Sequence, residues 1–145
     1  MKSTKLHIRA LRTIQKTDTA VYAFFIPGEL ITEIADISRL DRDQDNVLEG
    51  FQRQAIKQHV KNIANYLDEG NVLFPNSIIL AVSPEIEFRQ ARGRDMDGTI
   101  KSSQIGTLSI PIRQKGDRIA WIVDGQQRSL ALAKAKTKGL SIPVI

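Results

Sequence analysis

The 145-residue chain contains no cysteine, which excludes disulfide frameworks and thiolate metal sites. Its only histidines are His7 and His59, which give no metal cluster at that spacing. No apolar run approaches the roughly 20 residues of a membrane span, so no membrane partner is expected. Met1 to Lys5 hold no apolar signal-peptide core and lead straight into alternating residues; a cytoplasmic protein is the expectation. Aromatic residues are only 6% of the chain, which leaves few rings for stacking on bases.

What the chain does have is positive charge, a formal net of +5. That favours polyanion partners such as nucleic acid. The charge is patched. The stretch from Pro27 to Glu49 carries Glu29, Glu33, Asp36, Asp41, Asp43, Asp45 and Glu49, while Arg89 to Arg128 is basic. The length fits one domain, residues 1–145, able to bury a core. The last residues, Leu140 to Ile145, read as a strand with no polar tail. That is the pattern of a fragment of a longer protein, or of a strand inserted in a sheet.

Strands are expected over Leu6–Leu11 and Val21–Ile26, and a short helix over Glu29–Ile37. Ala55, Ile56, Val60, Ile63, Ala64 and Leu67 fall at helical spacing and predict a helix over Gln52–Leu67, stopped by Gly70. Ser77–Val82 reads as a buried strand. Pro84–Gly106 is polar, with three glycines, and reads as an exposed hairpin or excursion. Thr107–Ile112 and Arg118–Val123 read as strands joined by the turn Gln114-Lys115-Gly116-Asp117. A second helix is expected from Gly125 to Lys138, stopped by Gly139, with Lys134, Lys136 and Lys138 at its negative end. This order suggests an α+β domain with a mixed sheet and helices.

Two segments share the pattern acid-Gly-x-Gln-Arg: Glu49 to Arg53 and Asp124 to Arg128. Each opens a predicted helix. Glycine allows a tight turn and a close approach of backbone to ligand. The first helical turn leaves amide N–H groups without partners and carries partial positive charge. An arginine there is unfavourable by about 0.3–1 kcal/mol unless an anion lies between it and the amides. Phosphate suits the arrangement, because guanidinium grips it through two parallel bonds. Gln126, Gln127 and Ser129 add further polar groups. The bland alternative is local: Asp124 as helix cap, Gln127 completing a capping box, and Arg128 in a salt bridge. Neither segment has the spacing of a Walker loop.

Trp121-Ile122-Val123-Asp124-Gly125-Gln126-Gln127-Arg128 resembles the signature of DGQHR-domain proteins, with Gln127 where histidine is usual. Gly50-Phe51-Gln52-Arg53, His59-Val60, Ile63 to Leu67 and Leu73 to Ile78 are similar to that family too. The resemblance covers roughly Leu48 to Ile145. It implies the ParB/sulfiredoxin-like fold. The family includes DndB, a regulator of DNA phosphorothioation genes, and DpdB, from systems that insert 7-deazaguanine into DNA. The run Asn71 to Asn76 and Trp121 look closer to DpdB. In such proteins the Gly-x-x-Arg turn binds nucleotide phosphates, which here means Gly125, Gln126, Gln127 and Arg128. A glutamate from the earlier helix assists the chemistry, here Glu49, and Arg53 becomes a second phosphate contact. Glutamine at position 127 cannot titrate near neutral pH as histidine does.

The resemblance implies a component of a DNA-modification system that hydrolyses ATP, or cuts DNA phosphodiesters as a nuclease. The catalytic set would be Glu49, Asp124 and Arg128. The phosphate-binding set would be Gln52, Arg53, His59, Gly125, Gln126, Gln127, Arg128 and Ser129. Mg²⁺ would arrive with the nucleotide, held mostly by phosphate and water. Expected partners are DNA, a nucleotide and other subunits such as a guanine transglycosylase. Arg89, Arg92, Arg94 and Lys101, on the polar excursion, are candidate contacts to a DNA backbone. The alternative is a DNA-binding transcriptional regulator of a modification gene cluster, without turnover. Asp41 to Asn46 resembles the start of a calcium loop, but Asn46 and Gln52 stand where glycine and glutamate are required, so a solvated acidic loop is expected. Trp121 and Phe74 are expected in the core.

Overall fold

The computed structural model describes residues 4–37 and 49–145, with the side chains of residues 49–53 outside the description. Five strands form an antiparallel sheet: β1 (Lys5–Lys16), β2 (Thr19–Pro27), β5 (Glu87–Gln90), β6 (Gln104–Pro111) and β8 (Ser141–Val144), in the order β5-β6-β1-β2-β8. A second, mixed sheet has β7 (Ala120–Asp124) between β3 (Ala35–Ile37), parallel to it, and β4 (Ile79–Val82), antiparallel. Helix α1 (Ile31–Ile34) follows one 3-10 turn at Gly28–Leu30, α2 spans Glu49–Asp68, and α3 spans Gln126–Lys134. The fold is α+β.

Period-2 alternation makes the large sheet one-sided. Ile8, Ala10, Phe24, Ile26, Leu108, Ile110, Ile142 and Val144 point inward and are buried. Ile31, Ile34, Ile78, Ile119 and Ile122 join them in one core. The two sheets meet at Ile78, which pairs in parallel with Val144. Ile78 N–H donates to Pro143 O (3.0 Å), and Ile145 N–H donates to Ile78 O (2.9 Å). The C-terminal residues thus lie between the two sheets. Among the described residues no helix is long and apolar enough to cross a membrane.

Helix α2 forms where its 3.6-residue pattern predicts. Among its described side chains only Val60, Ala64 and Leu67 are buried, while Gln54 to His59 are exposed, so that stretch gains little from packing. Gly70 (φ +76°) follows its last turn, as expected.

Other expectations fail for physical reasons. The turn Gln114 to Asp117 forms as expected, with Asp117 N–H donating to Gln114 O (2.9 Å), but β6 and β7 do not pair across it and belong to different sheets. The turn between them is captured by Asp36 of β3, which accepts N–H bonds from Gly116 (3.1 Å) and Arg118 (3.2 Å) and pairs with the Arg118 guanidinium (3.2 Å). That steers β7 alongside β3. The segment expected as a helix over Glu29–Ile37 is a 3-10 turn, one helical turn and then β3. Helix α3 ends at Lys134, short of Gly139, because the next amides leave the helical ladder: Lys136 and Thr137 N–H donate to the Asp68 carboxylate at 3.3 and 2.9 Å. Lys138 Nζ still donates to a carbonyl of the last turn, Ala133 O, at 2.7 Å. Trp121 is not in the core. β7 alternates, so Ala120 and Ile122 face in while Trp121 is 43% and Val123 58% exposed. Phe74 packs against the core, partly buried. The acidic stretch is only partly a solvated face, since Asp36 and Glu29 bind backbone N–H groups, Glu29 that of Gly139 at 3.0 Å. The Asp41–Asn46 loop lies outside the described residues.

Candidate functional site

Strand β7 leaves the core at Asp124, and Gly125 (φ 92°, ψ 27°) swings the chain into α3. That left-handed backbone is open to glycine and strained for other residues. Space enforces the same choice: a Cβ at Gly125 would stand 2.5 Å from Ile78 Cδ1 and 3.0 Å from Arg128 Nη2. The expected capping box does not form. Gly125, not Asp124, is the N-cap, so the cap residue itself offers no side chain to the first amides of α3. The first segment of the shared pattern folds differently, since Glu49 and Gly50 already lie within α2.

Arg128 is held at the turn from two sides. Its Nη1 donates to Asn76 O (3.1 Å) and Ser77 O (3.2 Å), which fixes the guanidinium against the segment before β4. Its Nη2 stands 3.6 Å from the Asp124 carboxylate, beyond hydrogen-bond length. That carboxylate is 66% exposed, and such pairs contribute about 0–1 kcal/mol. The arginine is thus tethered by one nitrogen and only loosely neutralised at the other.

The turn opens onto a cleft of about 670 Å³. Its other wall is one face of α2, His59, Asn62, Ile63 and Tyr66, at spacings of three and four residues. Phe74 and Val123 complete it. Of the residues singled out in the sequence, His59, Asp124, Gly125, Gln126, Gln127 and Arg128 line this one space. Ser129 does not. It is fully buried, and its hydroxyl donates to Gly125 O at 2.8 Å, so it braces the turn instead of facing a ligand. The side chains of Glu49, Gln52 and Arg53 lie outside the described residues. Arg53 precedes His59 by six residues, about 9 Å of helix rise.

Arg89 sits on β5, and Arg92, Arg94 and Lys101 on the connection at residues 91–103, all exposed. None of these four residues is among those that line the cleft. Among the described residues, one carboxylate, one guanidinium and His59 line the cleft, so its formal charge is balanced and not strongly positive. Sequence reading missed Asn62, Ile63, Tyr66 and Val123 as lining residues. The signal was present, because the first three share the helical face of His59.

The family model DndB, DNA-sulfur modification-associated, matches residues 8–144. The chain belongs to the DndB family. Both the Gly125–Arg128 turn and the α2 wall lie inside the matched span. Comparison with curated proteins and with solved structures returns no match. The DndB family is thus the frame in which this cleft has to be interpreted.

Proposed function

We propose that this DndB-family chain is a phosphate-binding component of a DNA-modification system, with nucleotide phosphate held at the Gly125–Arg128 turn. The observation that carries the reading is the convergence of a left-handed glycine, the helix start that it caps and a tethered arginine on one open cleft. An anion would meet the N–H end of α3 and the Nη2 side of Arg128 together. The DNA-sulfur type of system is the one that the family description names. The resemblance of the run Asn71 to Asn76 to DpdB supports a 7-deazaguanine system as the second assignment.

In the catalytic form of the reading, ATP or a related triphosphate is hydrolysed. Water attacks the terminal phosphorus, the bond to the bridging oxygen breaks, and Glu49 takes the proton. Arg128, Arg53 and the turn amides stabilise charge on the transferring group. Mg²⁺ would fit as an ion held mainly by phosphate and water, because among the described residues Asp124 is the one carboxylate lining the cleft. A nuclease acting on DNA phosphodiesters would use the same groups. DNA and other subunits of the system are the implied partners.

The second reading is a DNA-binding regulator without turnover. Gln127 in place of histidine and the exposed Arg89, Arg92, Arg94 and Lys101 favour it. Phosphate release from ATP separates the two. The catalytic form expects turnover that falls at least a hundredfold in Arg128→Ala and Glu49→Gln. No turnover in the parent protein, with salt-dependent DNA binding, selects the regulator.

A further inference from the structure

We propose that the cleft carries a nucleobase subsite, in which the Tyr66 ring stacks on the base and Ile63, Phe74 and Val123 enclose it. The inference rests on the phosphate reading and specifies its ligand as a nucleoside phosphate in place of a bare phosphate chain. A cleft of about 670 Å³ is far larger than one phosphate group needs, and falls in the range of small-molecule sites.

The lining mixes two chemistries: the polar turn from Asp124 to Arg128, and the rings of Tyr66 and Phe74 with aliphatic Ile63 and Val123. Tyr66 is the informative group. Its hydroxyl donates to Leu73 O at 3.0 Å, which ties the ring to the segment that also holds Arg128. Yet Tyr66 remains 41% exposed. A ring fixed in position and left uncovered is a preorganised stacking surface, since little side-chain freedom remains to be lost on binding. Asn62, one turn before Tyr66, is positioned to meet a base edge. Its Oδ1 accepts from Gln58 Nε2 at 2.8 Å, which leaves the amide N–H groups as donors.

Binding isotherms for ATP, GTP, tripolyphosphate and a 5′-phosphorylated single-stranded oligonucleotide test the proposal on the whole chain. The parent protein is expected to hold a nucleoside triphosphate at least tenfold more tightly than tripolyphosphate, the scale of one base–aromatic stack. Tyr66→Leu should erase that margin and leave tripolyphosphate affinity unchanged, while Tyr66→Phe, which keeps the ring, retains it. Oligonucleotide binding with the same Tyr66 dependence places the nucleoside at a strand end; binding of the free nucleotides alone makes it a mononucleotide. Equal affinity for nucleotide and tripolyphosphate, still lost in Arg128→Ala, overturns the base subsite and spares the phosphate site. Failure of every ligand to bind overturns both.

Discussion

Two residues concentrate the physics of the turn and its surroundings. Gly125 is required by conformation and by space, since any Cβ meets Ile78 and Arg128. Gly125→Ala is expected to cost about 1–3 kcal/mol in urea unfolding, the scale of a strained left-handed residue, and to displace Arg128 so that phosphate affinity falls as well. Asp36 is the other. Burial raises its pKa, but the Gly116 and Arg118 amides and the Arg118 guanidinium outweigh burial and hold it below the usual carboxylate value. A depressed folded pKa contributes stability above the unfolded value of about 3.9, and that stability is lost as pH falls through the folded value. Stability should therefore drop in acid, and Asp36→Asn should be less stable at pH 7 with a shallower loss below about pH 4. Urea midpoints between neutral pH and pH 3 measure both. An unchanged acid limb in the variant would contradict the role given to Asp36.

At the scale of elements, legibility followed periodicity. Helix α2 was readable because its apolar residues recur every three or four positions, and β1, β2 and β6 because theirs alternate. The partners of those elements were not readable. Nothing local marks Asp36 as the acceptor for Gly116, 80 residues away, so the turn Gln114 to Asp117 is legible but not that the strands it joins lie in different sheets. The apolar run Ile119 to Val123 is too short to reveal that every second side chain faces out, which is why Trp121 reads as core. Trp121, the single tryptophan, offers a direct check: its native fluorescence should be readily quenched by acrylamide. A strongly protected tryptophan would contradict the open face of β7. Asp68 makes a comparable long link, from α2 to the residues after α3, and its pKa is lowered chiefly by the Thr137 amide. Asp68→Ala should loosen the end of α3, with faster hydrogen exchange at Lys136 and Thr137.

Over the whole molecule, positive charge and cleft do not coincide. None of the exposed Arg89, Arg92, Arg94 and Lys101 lines the cleft, so a net charge of +5 describes no single surface. If the loop meets DNA, replacing Arg92, Arg94 and Lys101 together should reduce the slope of log affinity against log salt by about 0.9 for each lost phosphate contact on duplex DNA, and leave nucleotide binding untouched. The candidate site was legible in its second half and at His59, but not in the rest of the α2 wall. The signature gave the Gly125–Arg128 turn, whereas the α2 wall needed the fold to bring it opposite. The central claim, that this turn and wall form one anion-accepting cleft, is tested most directly by amide chemical shifts during titration with ATP. Shifts centred on Gly125 to Arg128, with Ile63 and Tyr66 following at the same ligand concentration, are the expected result. Shifts confined to Arg92–Lys101, or none at saturating ATP, would contradict it.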